Sequence, residues 1–238
     1  MGLTESGREN PEEHARRVRE MFAHISPRYD FLNHLLSANV DKRWRRRIVR
    51  KIGPMLPPNA QVLDVGCGTG DLSIELFERT AARVVGIDFC RPMLELAREK
   101  ASQLRFVEGD ALRLPFADAS FDAITIGFAL RNLSSVSEGL TELRRVLKPD
   151  APIAILEFSQ PTVPGVRQLV RLYYSRLLPW IGGRLSGARN AYEYLPDSIS
   201  KFPNQQALAG MMRAAGFAGV EFENLSGGIA ALHFGRRG

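Results

Sequence analysis

Between Pro11 and about Ile52 the apolar positions recur at helical spacing, with Val18, Met21, Phe22 and Ile25 on one face. The segment opens on proline and two acids. Proline lacks an N–H that the first turn would leave unbonded anyway, and the acids face the positive end of the helix dipole. A Gly/Pro-rich stretch, GPMLPPNA over 53–60, then punctuates the chain. Beyond it the pattern changes to short runs of consecutive apolar residues: QVLDV (61–65), RVVGID (83–88), LRFVEGD (104–110), FDAITIGFAL (121–130) and APIAILEF (151–158). Unbroken runs of this length read as strands buried on both faces, as in a parallel sheet. Helical patterns over 70–80, 92–101 and 135–147 separate them. That alternation predicts an α/β fold with a doubly wound, mostly parallel sheet and helices on both faces. Residues 164–201 read as helices and loops, and 203–216 as a helix with start and stop signals. Two closing strands, VEFENL and IAALHFG, joined through SGG, read as a hairpin.

The length, 238 residues, fits one domain. Residues 1–10 read as a disordered N-terminus, 11–52 as an N-terminal helical cap, 60–160 as the ligand-binding core, 161–202 as a helical insertion, and 203–238 as a C-terminal helix with closing strands. With 45% hydrophobic and 24% charged residues the composition is that of an ordinary globular protein. The two cysteines, Cys67 and Cys90, have no metal-ligand spacing and make no disulfide framework, and no metal is expected. The N-terminus carries no secretory pattern, and no apolar run approaches the roughly 20 residues of a spanning helix. These features point to the cytoplasm.

The net charge of +6 changes the picture only locally. In DKRWRRRIVRK, 41–51, seven of eleven residues are Lys or Arg. Such a block is a solvated face, or a surface for anionic membrane with Trp44 at the interface. No nucleic-acid motif accompanies it, and no nucleic-acid partner is expected.

The candidate chemistry begins at LDVGCGTGD, 63–71. Gly66, Gly68 and Gly70 alternate where the first strand meets the first core helix, and glycine lets backbone turn sharply beside a ligand. The spacing G-x-G-x-G differs from the dinucleotide fingerprint G-x-G-x-x-G, and Asp64 precedes it. An acid there is unfavourable beside a pyrophosphate and favourable beside a cation. S-adenosylmethionine carries a sulfonium and an ammonium and no phosphate. Asp88, closing the second strand, suits its ribose hydroxyls. Asp110, closing the third, suits its adenine amino group, with the Ala111 N–H beside it. Asp64, Gly66, Gly68, Thr69, Gly70, Asp88, Asp110 and Ala111 are therefore the candidate cofactor-binding residues. Each acid taken singly is equally readable as a helix cap or turn residue. The fourth strand ends abruptly in Arg131 and Asn132, where sheets of this kind bind ligands.

The sequence resembles the C-methyltransferases of menaquinone and ubiquinone biosynthesis within the class I S-adenosylmethionine-dependent methyltransferases. One of the family's signatures resembles YDFLNHLLSANVDKRW (29–44), through Tyr29, Asp30, Asn33, Ser37 and Trp44. The other resembles RVLKPDAPIAILEFS (145–159), through Arg145, Val146, Lys148, Pro149, Glu157 and Ser159. FALRN and residues 191–217 are also similar, and the likeness covers about 12–236. The chain departs from the pattern at Leu32, Asp41, Cys67, Gly127 and the Asp150–Ala151 turn. The resemblance implies a Rossmann-like seven-stranded sheet with a C-terminal antiparallel hairpin. It implies methylation of a prenylated demethylmenaquinol ring, or of a 2-methoxy-6-polyprenyl-1,4-benzoquinol, leaving S-adenosylhomocysteine. Membrane contact of a peripheral kind on the inner face, and a homodimer, are further expectations. Arg131 would then steady the ring oxygen, or else pair with a local acid such as Asp71. Asn132 would orient the ring, and Asp71 would assist proton removal. Tyr29 and Asp30 would close over the substrate, or serve in capping and packing. Another small acceptor, an RNA-binding role suggested by the basic pI, and a non-catalytic scaffold are the competing readings.

Overall fold

The computed structural model describes residues 10–30, 37, 39–173 and 189–238. The expectations for residues 1–9, for 31–36 of the first signature and for the stretch 174–188 lie outside these. Helix α1, Pro11–Ile25, is capped by the Asn10 side chain, which accepts from the Glu12 N–H at 3.1 Å. A 3-10 turn, Ser26–Arg28, leads to Tyr29 and Asp30. Helix α2, Val40–Ile52, carries the basic block. Then follow β1 (Gln61–Val65), α3 (Asp71–Arg79), β2 (Arg83–Asp88), α4 (Arg91–Lys100), β3 (Arg105–Glu108), β4 (Ala123–Gly127), α5 (Val136–Val146) and β5 (Pro152–Phe158). Helices α6 (Pro164–Leu172), α7 (Arg189–Lys201) and α8 (Gln205–Ala214) precede the hairpin β6 (Phe217–Leu225) and β7 (Ala230–Arg237).

The seven strands form one sheet in the order β3-β2-β1-β4-β5-β7-β6. The first five run parallel, and β7 lies antiparallel between β5 and β6. From β1 the chain winds to one edge, and from β4 to the other. The switch point therefore falls at the C-terminal ends of β1 and β4, where a crevice must open.

Successive strand residues enter opposite cores, which explains the unbroken apolar runs. Val62, Ala123 and Ala154 pack with Ile48, Val49 and Ile52 of α2, Leu76 of α3 and Leu94 of α4. Leu63, Ile124 and Ile153 pack with Leu140 and Leu143 of α5 and Leu208 and Met212 of α8. Helix α2 thus belongs to the layer covering the sheet. Its Trp44 is buried, contrary to the surface role its basic neighbours suggested, and donates to Ser226 Oγ at 3.1 Å. Arg45 turns inward, while most other charges of the block point outward and several meet acids, as Arg47 meets Glu223 at 2.9 Å and Arg46 meets Glu75 at 3.5 Å.

The fourth strand is shorter than its apolar run. It stops at Gly127 because Phe128 takes a positive φ of 60°, and Leu130–Asn132 then coil into a 3-10 turn. The apolar residues after the strand line a bend. The third strand is likewise trimmed, from 104–110 to Arg105–Glu108.

Candidate active site

Two cavities open at the switch point. Gly66, Gly68, Asp88, Asp110 and Ala111 border the first, beneath the tips of β1, β2 and β3. Gly66 has φ +64°, and a Cβ on it would lie 2.2 Å from the Ala129 Cβ, so the loop passes the end of β4 where only glycine fits. The buried Asp88 carboxylate accepts from the Gly68 N–H at 2.8 Å and the Cys90 N–H at 2.9 Å. A carboxylate offers about four acceptor positions, so these backbone partners leave room for a ligand hydroxyl. Burial pushes the Asp88 carboxyl up. Asp110 is exposed and accepts from the Leu112 N–H at 2.9 Å. Thr69 and Gly70 stand apart from this wall. The Thr69 hydroxyl donates to Asp30. A Cβ on Gly70 would press on Phe106 at 3.1 Å, so that glycine serves packing. Burial raises the Cys67 thiol well above its ordinary range, which removes it as a thiolate nucleophile.

Asp64 lies under the loop, 1% exposed, accepting from Ser73 Oγ at 2.6 Å and Thr125 Oγ1 at 2.8 Å. Burial lifts its pKa from 3.8 to about 6, against the pull of those hydroxyls and of Arg45. A carboxyl raised in the folded state stabilises most below its unfolded value, and that contribution is lost as pH rises through the folded value. Shifted from 3.8 to about 6, the ionised acid costs about 3 kcal/mol at neutral pH. Asp64→Asn is therefore expected to be more stable than the parent at neutral pH, by at most about 3 kcal/mol, and to match it in strong acid. Denaturant unfolding across a pH series checks this.

A ladder of alternating charge joins the segment after α1, α2 and the core. Asp30 meets Lys100 of α4, which meets Asp71 Oδ1 at 3.0 Å. Asp71 Oδ2 meets Arg45 Nη2 at 3.0 Å, and Arg45 meets Asp41 at 2.6 Å. Ser37 Oγ donates to Asp41 at 2.6 Å. Asp71 still borders the second cavity, but with Lys100 on one oxygen and Arg45 on the other.

The second cavity encloses about 520 Å³. Met21, Ile25, Val166, Val170, Leu195 and Ile229 make much of its wall apolar. An aromatic cluster stands at one side: Phe128 and Phe158 centroids are 4.6 Å apart, and Trp44 lies 5.9 Å from Phe128. Arg131, 7% exposed, borders this cavity and pairs with the buried Glu157 at 2.8 Å, not with Asp71. Burial disfavours the Arg131 cation, but Glu157, Tyr194 and Tyr29 outweigh it and keep the guanidinium charged. Asn132 turns to the first cavity, and its Oδ1 accepts from the Tyr194 hydroxyl at 2.9 Å. Phe22, Tyr29, Gly66, Gly68, Gly127 and Phe128 border both cavities and form the neck between them. Tyr29 stacks edge-on against Phe22 at 5.9 Å, and Asp30 looks away to Thr69 and Lys100.

Sequence reasoning passed over Glu157, Phe128, Phe158 and Tyr194 as site residues. One signal existed: an acid at the end of an otherwise apolar strand beside β4 requires a buried cation. Among the described residues, no three His, Cys, Asp or Glu side chains are grouped to hold a metal.

The sequence model of the ubiE/COQ5 methyltransferase family matches residues 10–237. The chain is 48% identical to a demethylmenaquinone methyltransferase of Thermus thermophilus, over 91% of this chain and 100% of that protein. It is 46% identical to a ubiquinone/menaquinone biosynthesis C-methyltransferase of Citrifermentans bemidjiense, over 94% and 98%. Among solved structures, a SAM-dependent methyltransferase from Aquifex aeolicus superposes with a TM-score of 0.60 at 20% identity, covering 82% of this chain and 89% of that one. A SAM-dependent methyltransferase from Thermotoga maritima does so with a TM-score of 0.64 at 17% identity, covering 93% and 100%. The strand order and the crevice at the switch point agree with those likenesses in fold, and on the match over nearly its whole length this chain belongs to the ubiE/COQ5 methyltransferase family.

Proposed function

We propose that this protein transfers a methyl group from S-adenosylmethionine to a ring carbon of a reduced, prenylated demethylmenaquinol, giving menaquinol and S-adenosylhomocysteine. The observation that carries the reading is the neck: a carboxylate-edged cavity meets a larger apolar one beside a buried cation. The residues fit the cofactor. Asp88 has acceptor positions left for ribose hydroxyls, Asp110 and the Ala111 N–H suit adenine, and Gly66 lets the loop that borders this cavity pass against Ala129 at the end of β4. Ionised Asp64 beneath the loop balances a cation, so Asp64→Asn should bind the cofactor more weakly while unfolding less readily. When bound, the cofactor supplies an electrophilic methyl on a sulfonium.

The acceptor has to be the quinol, because only an electron-rich ring makes its carbon nucleophilic. Arg131 donates to a ring oxygen and stabilises the quinolate left when the ring hydroxyl gives up its proton, charge that then drains into the ring carbon as it takes the methyl. Tyr29 and Phe128 hold the ring at the neck, which brings the reacting atoms together and excludes water. The apolar walls of α1, α6 and α7 receive the prenyl tail. Once carbon has taken the methyl, it releases its proton to solvent and the ring regains aromaticity.

Methyl transfer from labelled cofactor to chemically reduced demethylmenaquinone tests the reading, with the oxidised quinone and a reduced methoxy-benzoquinol alongside. Label on carbon with the reduced naphthoquinol alone is expected. Label on the benzoquinol as well would assign both pathways, a reading favoured by the relatives named for ubiquinone and menaquinone together. No transfer to either would overturn the proposal.

No helix among the described residues is long and apolar enough to cross a membrane. Val163, Leu169 and Leu172 are nevertheless exposed at α6, and Leu169 also borders the second cavity. This supports docking of α6 on a lipid surface from which the tail enters. Binding to anionic vesicles in co-sedimentation is expected, with loss on Leu169→Glu plus Leu172→Glu. Absence of binding at low salt removes the claim.

A further inference from the structure

We propose that Glu157 is a positioning residue for methyl transfer: it fixes Arg131 so that guanidinium Nη2 faces the second cavity as donor to the acceptor's ring oxygen. This rests on the reading above only in taking the acceptor to be an oxygen-bearing aromatic ring.

Glu157 is the second-last residue of β5, next to β4 in the sheet, and is 1% exposed. Its carboxylate grips Arg131 twice. Oε2 accepts from the Arg131 backbone N–H at 3.2 Å, and Oε1 accepts from Nη1 at 2.8 Å. Oε1 also accepts from the Phe158 N–H at 2.9 Å. Nη1 donates in addition to the Phe128 carbonyl. The guanidinium carbon sits 5.3 Å from the Phe158 ring centroid, over its face. Among the described residues, both side-chain hydrogen bonds of Arg131 run through Nη1, and Nε is buried without a partner. Nη2, in a side chain that borders the cavity, has no acceptor among the described residues.

A buried guanidinium with donors left unmatched costs free energy, and a fold that spends one carboxylate on orienting it gains from the orientation. Charge matters as well. Glu157 makes the pair neutral, so the aimed N–H supports the quinolate once the ring hydroxyl has lost its proton, without a bare cation holding that charge on oxygen when it must flow to the ring carbon in the transition state. The charged and titratable groups facing Arg131 are Glu157 on β5, Tyr29 beyond α1 and Tyr194 on α7.

Two variants and two readouts test this. Glu157→Gln keeps the shape and leaves the Arg131 charge uncompensated. Glu157→Asp keeps the charge and draws the guanidinium back by one methylene. Both are expected to lower kcat about 30- to 100-fold while cofactor affinity stays within about threefold. Only Glu157→Gln should move the kcat pH profile, toward lower pH, because a bare cation favours the ionised acceptor. The second readout needs no turnover: 1-naphthol is bound to the cofactor-loaded protein and its ionisation followed by absorbance. Glu157→Gln should lower the bound naphthol's pKa by about one unit relative to the parent. If both variants lose stability but the folded protein keeps the parental kcat, pH profile and naphthol ionisation, Glu157 is merely structural and the proposal fails. If the parent methylates no quinol at all, the function reading fails, and the naphthol shift still decides the role of Glu157.

Discussion

Gly66→Ala is expected to abolish cofactor binding, raising the dissociation constant by about 100-fold or more. The new methyl would meet the Ala129 Cβ at 2.2 Å, and both atoms are fixed to backbone at the ends of β1 and β4. No flexible side chain can yield, so the loop itself has to move. Left-handed backbone at a residue with a Cβ adds strain. Together, strain and overpacking should cost about 2–4 kcal/mol of stability. Gly68→Ala is the control. Its φ is also left-handed, at +55°, but the nearest atom to a new Cβ is Tyr29 Cε1 at 3.9 Å. That variant should lose only about 1 kcal/mol. Calorimetric titration with S-adenosylmethionine and chemical denaturation of both variants check the pair. Near-parental binding by Gly66→Ala would show that the cofactor lies elsewhere.

Arg131→Leu carries the second large effect. It strands the buried Glu157 carboxylate, which should cost about 3–5 kcal/mol of stability. Turnover is expected to fall about 100- to 1000-fold with cofactor affinity nearly unchanged, because Arg131 borders the second cavity and not the first. The double variant Arg131→Leu with Glu157→Leu separates the two effects. Removing both charges should return most of the stability and none of the turnover. Steady-state kinetics and calorimetry on the three proteins decide it, and equal losses of kcat and cofactor affinity would contradict the assignment.

Much of this was legible in the chain. Runs such as QVLDV and RVVGID marked β1 and β2 to the residue, because strands buried on both faces leave no room for polar alternation. The place of the glycine loop after β1 and of Asp88 at the end of β2 was legible because turn chemistry and strand ends are local, whereas Asp64 borders the second cavity and Asp110 falls two residues past β3. Partners across the sheet were not legible. Glu157 and Arg131 are 26 positions apart, and only the β4–β5 neighbour relation makes them a pair. The bend at Phe128 was hidden as well, since nothing in FALRN marks a positive φ. Trp44 misled through its basic neighbours, although its helical phase with Ile48, Val49 and Ile52 already placed it on the inward face.

The neck between the cavities has an evolutionary consequence. The first cavity is built largely from loops that follow strands of the sheet, while the second draws its walls from α1, α2, α6 and α7. A lineage can therefore reshape the acceptor chamber by substitution in α6 and α7, which among the described residues border only the second cavity, whereas α1 also lines the first and α2 also packs on the sheet. Among the described residues, the two chambers share Phe22, Tyr29, Gly66, Gly68, Gly127 and Phe128, so a substitution at this neck alters both at once.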